Sequence, residues 1–266
     1  EVSGVLSDIL EHISIELKLR QFLHQNIRSA LIYPCNILVA MAGVINILIF
    51  FVLPKIIPIF SGLSIELPLT TRILIGTANF MINYWMYIFL FIVVSAVSFV
   101  LLLRVYAFRF FYHRLILFLP LIGSIGHKAV MSDFSRTFGL LLKSGVKIVE
   151  ALIITSDSIT NLVYKKAFRE AAETVKKGDA LNNFLKARED IFPAALSQMI
   201  EVGESTGTLE NNLFYLANFY ESEVDEATKN LSSTLEPILL LVMGVIVGFV
   251  AISIITPIYK ITQPIQ

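Results

Sequence analysis

Three stretches of this chain run without a charged residue for longer than the roughly 20 apolar positions that a helix needs to cross a bilayer. The first lies between Arg28 and Lys55 ("LIYPCNILVAMAGVINILIFFVLP"), the second between Arg72 and Arg104, and the third between Glu236 and Lys260 ("PILLLVMGVIVGFVAISIITPIY"). Each predicts a membrane span. A further apolar run, "LILFLPLIGSIGH" after Arg114, is too short and is broken by Pro120, so it is expected to lie at the interface or to pack under a helical bundle.

From about Lys128 to Ser233 charged and apolar residues alternate at helical spacing. Ile148, Ala151 and Leu152 share one face, as do Val163, Ala167, Ala171 and Val175. "FSRTFGLLLKSG" ends in lysine and glycine, as a helix does when an αL residue closes it, and Gly145, Gly178, Pro193 and Gly207 punctuate about six helices. Strand signals are absent. The fold class predicted is all-α: three transmembrane helices and a cytoplasmic six-helix bundle.

Composition agrees with a membrane protein: 56% of the 266 residues are hydrophobic and 16% charged, with a mean hydropathy of +0.75, against about 25% charged in an ordinary soluble domain. The net charge is +0, which points to no nucleic-acid partner. Basic residues set the orientation. Lys18, Arg20 and Arg28 precede the first span and Arg104, Arg109, Arg114 and Lys128 follow the second, against Lys55 and Arg72 between them, so both flanks are expected in the cytoplasm. The expected organisation is then residues 1–30 closing a first cytoplasmic helical domain, a span over 31–58, an external connection over 59–80 and a span over 81–104. An interfacial amphipathic segment over 105–127, a cytoplasmic helical domain over 128–234, a span over 235–259 and an external tail over 260–266 complete it. The single Cys35, in an apolar run, forms no intramolecular disulfide.

One motif suggests an enzyme. Gly203 to Gly207 spell G-E-S-T-G, the G-x-S-x-G of a serine-hydrolase elbow, which works only where a strand turns sharply into a helix. The preceding "PAALSQMIEV" has helical periodicity, and the last histidine, His127, precedes the serine, whereas in that fold the catalytic histidine follows it. Gly203 and Gly207 are therefore expected to punctuate helices, with Ser205 or Thr206 capping the next one.

The chain also repeats itself. With Glu1 laid on Glu204, Gly4 falls on Gly207, Leu6 on Leu209, Leu10 on Leu213, Pro34 on Pro237 and Pro54 on Pro257 without a gap, and Ser205 falls on Val2. Whatever the copies share does not use the serine hydroxyl. Four or so helices precede the second copy and none precedes the first, so another helical domain is expected before Glu1.

"FSRTFGLLLKSGVKIVEAL" (Phe134 to Leu152), "IFPAALSQMIEVGESTGTLENNL" (Ile191 to Leu213) and "LEPILLLVMGVIVGFVAISIITPIY" (Leu235 to Tyr259), with "ELPLTTRIL" and "FLPLIGSIG", resemble the type II secretion system F proteins, a family that includes the inner-membrane platform proteins of type IV pilus assembly. Nearly the whole chain shares the likeness. The resemblance implies a scaffold with two homologous cytoplasmic helical domains and three spans, at the base of a pilus or pseudopilus machine in the bacterial inner membrane. It implies coupling of a hexameric cytoplasmic ATPase to the insertion or extraction of pilin or pseudopilin subunits, alongside other machine components, membrane lipid and further copies of itself. The motif positions carried over are Gly145, Glu150, Ala151, Phe192, Pro193, Gly203, Glu204, Gly207, Leu209, Glu236 and Pro237, with Pro257, Pro34 and Pro54 bracketing the spans.

The residues themselves predict no catalytic, cofactor or metal site. The sequence holds no G-x-x-x-x-G-K-[ST] and no H-E-x-x-H, His12, His24, His113 and His127 lie apart, and Glu201, Glu204 and Glu210 read as a solvated helix face. Glu236 is replaced by Tyr33 in the first copy, so its carboxylate is not essential to the shared fold. Gly244 and Gly248 form G-x-x-x-G, expected to serve packing within the chain ahead of subunit association. Two charged clusters are candidate partner surfaces: Glu221, Glu223, Asp225 and Glu226, and Lys165, Lys166 and Arg169 with Lys176 and Lys177. A transporter permease is the competing function; it would show interrupted spans or midplane polar sites, of which Asn36 and Asn46 are the candidates.

Overall fold

The computed structural model describes residues 25, 29, 32–55, 58, 68–120 and 122–262, and among them only helix and its connections occur, with no strand. The expected all-α class holds. Three helices are long and apolar enough to cross a membrane, Ile32–Lys55, Leu69–Leu102 and Leu209–Pro257. The chain divides into two compact units, one containing Leu102–Leu231 and the other Ala30–Leu101 with Ser232–Gln266.

In the second unit, helix α1 (Ile32–Lys55) widens into a π turn at Leu48–Val52, where the Leu53 N–H bonds to the Leu48 carbonyl. Pro54 explains it. Its ring would press on the carbonyl four residues back, and one wide turn makes the room. Helix α2 (Leu69–Leu102) already begins within the connection expected over 59–80. Its 34 residues amount to roughly 50 Å at 1.5 Å each. Packing is thin. Ile49 and Leu53 of α1 meet Leu74 and Ala78 of α2, with Val250 and Ile254 of the last helix against them, and the buried Thr71 Oγ1 donates to the Ser253 carbonyl at 2.7 Å. Most other large side chains of α2, such as Trp85, Phe89 and Phe91, are exposed, as lipid-facing residues are.

The first unit is packed differently. Helix α3 (Tyr106–Phe118) bends by 107° into α4 (Ile122–Lys143), followed by α5 (Ile148–Ser158), α6 (Leu162–Lys176), α7 (Leu181–Lys186) and α8 (Ala194–Thr206). The start of α9 (Leu209–Thr262) completes it. Met131, Phe134 and Phe138 of α4, Ala151 and Leu152 of α5, Tyr164 and Phe168 of α6, and Leu213 and Tyr220 of α9 form one core. The Phe134 and Phe168 rings stack at 3.8 Å. On α6 the predicted Ala167 and Ala171 are buried, but Tyr164 and Phe168 centre the face, while Val163 and Val175 are only half-buried. A helix buries a stripe about a third of its circumference wide, so the aromatic residues one position on share it.

Candidate functional site

Sequence patterns single out the turn between α8 and α9, and its geometry explains the residues found there. Phe192, 1% exposed, packs against Tyr164 and Phe168, and Pro193 supplies the extended N-cap from which α8 starts. Gly207 closes α8 in the left-handed region at φ 71°, a conformation that costs glycine little. At Gly203 a Cβ would lie 2.7 Å from the Leu209 Cα, so only a glycine lets the two helices approach this closely. Glu204 reaches across to α7: its carboxylate accepts from the Leu181 N–H at 2.9 Å and the Asn182 N–H at 3.2 Å, capping a helix start with negative charge.

Ser205 has no catalytic surroundings. It is exposed, and its Oγ donates to the Val202 carbonyl one turn back within α8. Neither it nor Thr206 caps α9 through a backbone N–H: Thr206 Oγ1 also returns to Val202 and touches Thr208 Oγ1. No group of three or more His, Cys, Asp or Glu is placed to hold a metal among the described residues. Gly145, at φ 79°, closes α4. Glu150 stands in the first turn of α5, where the helix dipole favours an acid, and Ala151 is fully buried.

The charged clusters have different fates. On α9, Glu221 pairs with Arg136 at 2.5 Å and Glu223 with Lys128 at 2.7 Å, so these two carboxylates are committed inside the unit. On α6, Lys165 and Arg169 share Asp157 at 3.1 and 3.7 Å, and Lys166 faces Glu170 at 3.9 Å. These pairs are exposed and together leave positive charge in excess.

Two histidines that sequence reasoning set aside hold the unit together. The Leu162 N–H, at the start of α6, donates to His113 Nδ1 at 3.0 Å, so that nitrogen carries no proton; burial, then nearby Arg109, pull the His113 pKa below its ordinary value. The Tyr164 hydroxyl donates to the Ile191 carbonyl at 2.9 Å, and its oxygen meets His127 Nδ1. Burial lowers the His127 pKa while a hydrogen bond to the Leu117 backbone raises it. Burial raises the Tyr164 pKa strongly, helped by Tyr220 and Asp190. Tyr220 is pushed up to about 12 by burial, then by Glu223. Nothing in the spacing of the histidines signals these roles. Asn161, whose side chain accepts from the Val163 N–H at 3.0 Å, was legible as an N-cap.

In the second unit, the self-alignment pairs Tyr33 with Glu236, and these two residues touch: the Tyr33 hydroxyl donates to Glu236 Oε1 at 3.1 Å. Pro34 and Pro257 are buried, Pro54 half-buried and Pro237 exposed, with Pro237 and Pro257 inside α9. A Cβ at Gly244 or Gly248 would meet nothing within 4 Å, so this G-x-x-x-G face is open among the described residues. Asn46 Nδ2 is satisfied by the Ala42 carbonyl of its own helix at 2.7 Å.

Residues 1–54 and 134–257 match the family described as "Type II secretion system (T2SS), protein F". The chain belongs to the type II secretion system protein F family. Relatives within and around it include the type IV pilus assembly protein PilC of Thermus thermophilus, 36% identical over 98% of this chain and 64% of its own length. The type IV pilus assembly protein TapC of Aeromonas hydrophila is 32% identical over 98% of this chain and 63% of its own. The type II secretion system protein F of Pseudomonas aeruginosa is 30% identical over 99% of this chain and 65% of its own. This protein F family chain thus spans less than two thirds of the length of those relatives, and with its three apolar helices it is a multi-pass membrane protein.

Proposed function

We propose that this chain is a non-enzymatic inner-membrane platform of a type IV pilus or type II secretion machine. It couples a hexameric cytoplasmic assembly ATPase to the insertion or extraction of pilin or pseudopilin subunits. The observation that carries the reading is the family match over residues 1–54 and 134–257, which takes in parts of both units. The basic flanks of α1 and α2 support a cytoplasmic first unit. A single helix, α9, contributes Leu213 and Tyr220 to the core of the first unit and Val250 and Ile254 to the packing of the second, which suits an element that passes force.

The Tyr33–Glu236 hydrogen bond supports reading α1 and the span of α9 as packed about a local two-fold axis, since residues beside such an axis meet their own equivalents. With Glu221 and Glu223 committed to ion pairs, a partner surface on α9 narrows to the exposed Glu226. The open Gly244 and Gly248 face suits association with a second copy.

The test is deletion of the full gene in its host, scoring surface filaments and exported proteins while pilin and ATPase levels are followed. Loss of either output with both components present is expected and names the machine served. Unchanged filaments and export, with no second copy of the gene, overturns the platform reading.

A further inference from the structure

Among the described residues helix α3 leaves a stripe uncovered, along an open cleft of about 530 Å³ whose other wall is His127, Val163, Arg188 and Ile191. Phe111 is 61% and Phe118 86% exposed, with Leu115 at 47%, and at spacings of four and three these residues form one stripe, with exposed Arg114 on the same side. The stripe continues round the elbow to the exposed Leu119 and Ile122. An apolar surface of this kind on a packed unit needs a cover.

The chain says which. α2, the second span, ends at Leu102, and the Val105 N–H bonds back to the Leu102 carbonyl at 3.0 Å, so α3 starts within about 14 Å of the end of the span. The elbow is not itself a fourth span, because α4 places Met131, Phe134 and Phe138 in the core of the first unit. The bend is built in: a Cβ at Gly123 would lie 2.2 Å from the Leu117 carbonyl oxygen.

Beside α3 lies a cleft of about 610 Å³ between Tyr106 and α6, lined by four cations, Lys165, Lys166, Arg169 and Lys177, and two carboxylates, Glu170 and Glu173. Lys166 and Arg169 keep most of their side chains in solvent. Positive charge, an amphipathic tyrosine and an exposed apolar helix next to the end of a span together match the headgroup layer of a membrane rich in anionic phospholipid.

We propose that α3 is an in-plane anchor, with Phe111, Leu115 and Phe118 among the acyl chains, and that the cleft formed by Tyr106, Lys165, Lys166 and Arg169 receives the phosphate of an anionic phospholipid. This rests on α2 crossing the membrane, and on no part of the pilus or secretion reading. It gives Lys165, Lys166 and Arg169 a lipid as their partner in place of a protein.

The test uses the full chain reconstituted in vesicles of phosphatidylcholine and phosphatidylglycerol, with Trp85, the only tryptophan, changed to Phe and Phe118→Trp introduced as a probe. The probe indole is expected to be quenched by phosphatidylcholine brominated near the carbonyl end of its chains. Changing Lys165, Lys166 and Arg169 together to Gln is expected to lower co-purified phosphatidylglycerol about fivefold or more, each basic residue near an anionic surface contributing roughly that factor. Lys165→Arg with Lys166→Arg keeps the lipid. An indole quenched by aqueous iodide and not by bromolipid overturns the anchor, and one shielded from both shows a protein, such as a second copy, on that face. A quenched indole with unchanged phosphatidylglycerol in the Gln variant overturns the headgroup site.

Discussion

The two units solve the same problem, how to satisfy a helix, in opposite solvents. In the first unit, Phe134 and Phe168 stack face to face among fully buried neighbours, and stability rests on how well side chains interlock. In the second, α2 buries only Thr71, Leu74 and Ala78 and leaves Phe91 74% exposed. Apolar side chains there gain little from leaving lipid for protein, so among the described residues a small seam and two hydrogen bonds, Thr71 to Ser253 and Tyr33 to Glu236, join its helices. Side-chain volume matters in one unit, and length without charge in the other.

The sharpest way to break this contrast is to remove the same side chain from each. Phe168→Ala is expected to cost the first unit about 3–5 kcal/mol, because Phe168 is fully buried against Phe134, Tyr164 and Phe192. Phe91→Ala is expected to leave the melting temperature of the protein in detergent nearly unchanged. Equal losses, followed by thermal unfolding of each variant, would show that α2 is packed against protein along its length.

Glycines give a smaller and more local contrast. Gly203→Ala forces a Cβ to within 2.7 Å of the Leu209 Cα, and is expected to cost about 1–3 kcal/mol as α8 and α9 are pushed apart. Gly244→Ala and Gly248→Ala meet open space among the described residues and are expected to leave folding unchanged or slightly improved, since alanine favours helix. Thermal melting at several protein concentrations checks this. A loss at Gly244 that deepens on dilution would show a face covered by a second copy.

How much was legible in the sequence follows the same division. The three long apolar helices were readable because hydrophobic length is a one-dimensional property, although the start of α2 at Leu69 was not: its first turns carry Thr70, Thr71 and Arg72, which read as a connection. Glycine and proline marked the turns of the first unit because backbone conformation is local. Glu204 could be picked out by likeness to a family, but its task, capping α7, depends on a fold that brings residues 22 and 23 positions apart together. The acidic cluster looked like a partner surface because Arg136 and Lys128, which hold Glu221 and Glu223, lie far away in the chain. Charge runs show which groups need partners and not where the partners are.

The smallest expected effect is a response to pH confined to the first unit, where both described histidines lie. His113 accepts the Leu162 N–H through an unprotonated Nδ1, and its pKa in the folded protein lies below the ordinary 6.5. The unfolded chain therefore takes up a proton first. The stability this contact gives is fully present above about pH 6.5 and is lost as the pH falls through the lower folded value, because an imidazolium offers no acceptor at Nδ1. Hydrogen exchange at the Leu162 amide is expected to quicken between about pH 6.5 and pH 5, beyond the intrinsic pH dependence of exchange, while amides of α2 follow the intrinsic trend. His113→Gln, whose side-chain oxygen accepts at any pH, is expected to flatten the response. An unchanged pH profile in that variant would move the sensitivity to His127, whose contact with Tyr164 joins α4 to α6 in the same unit.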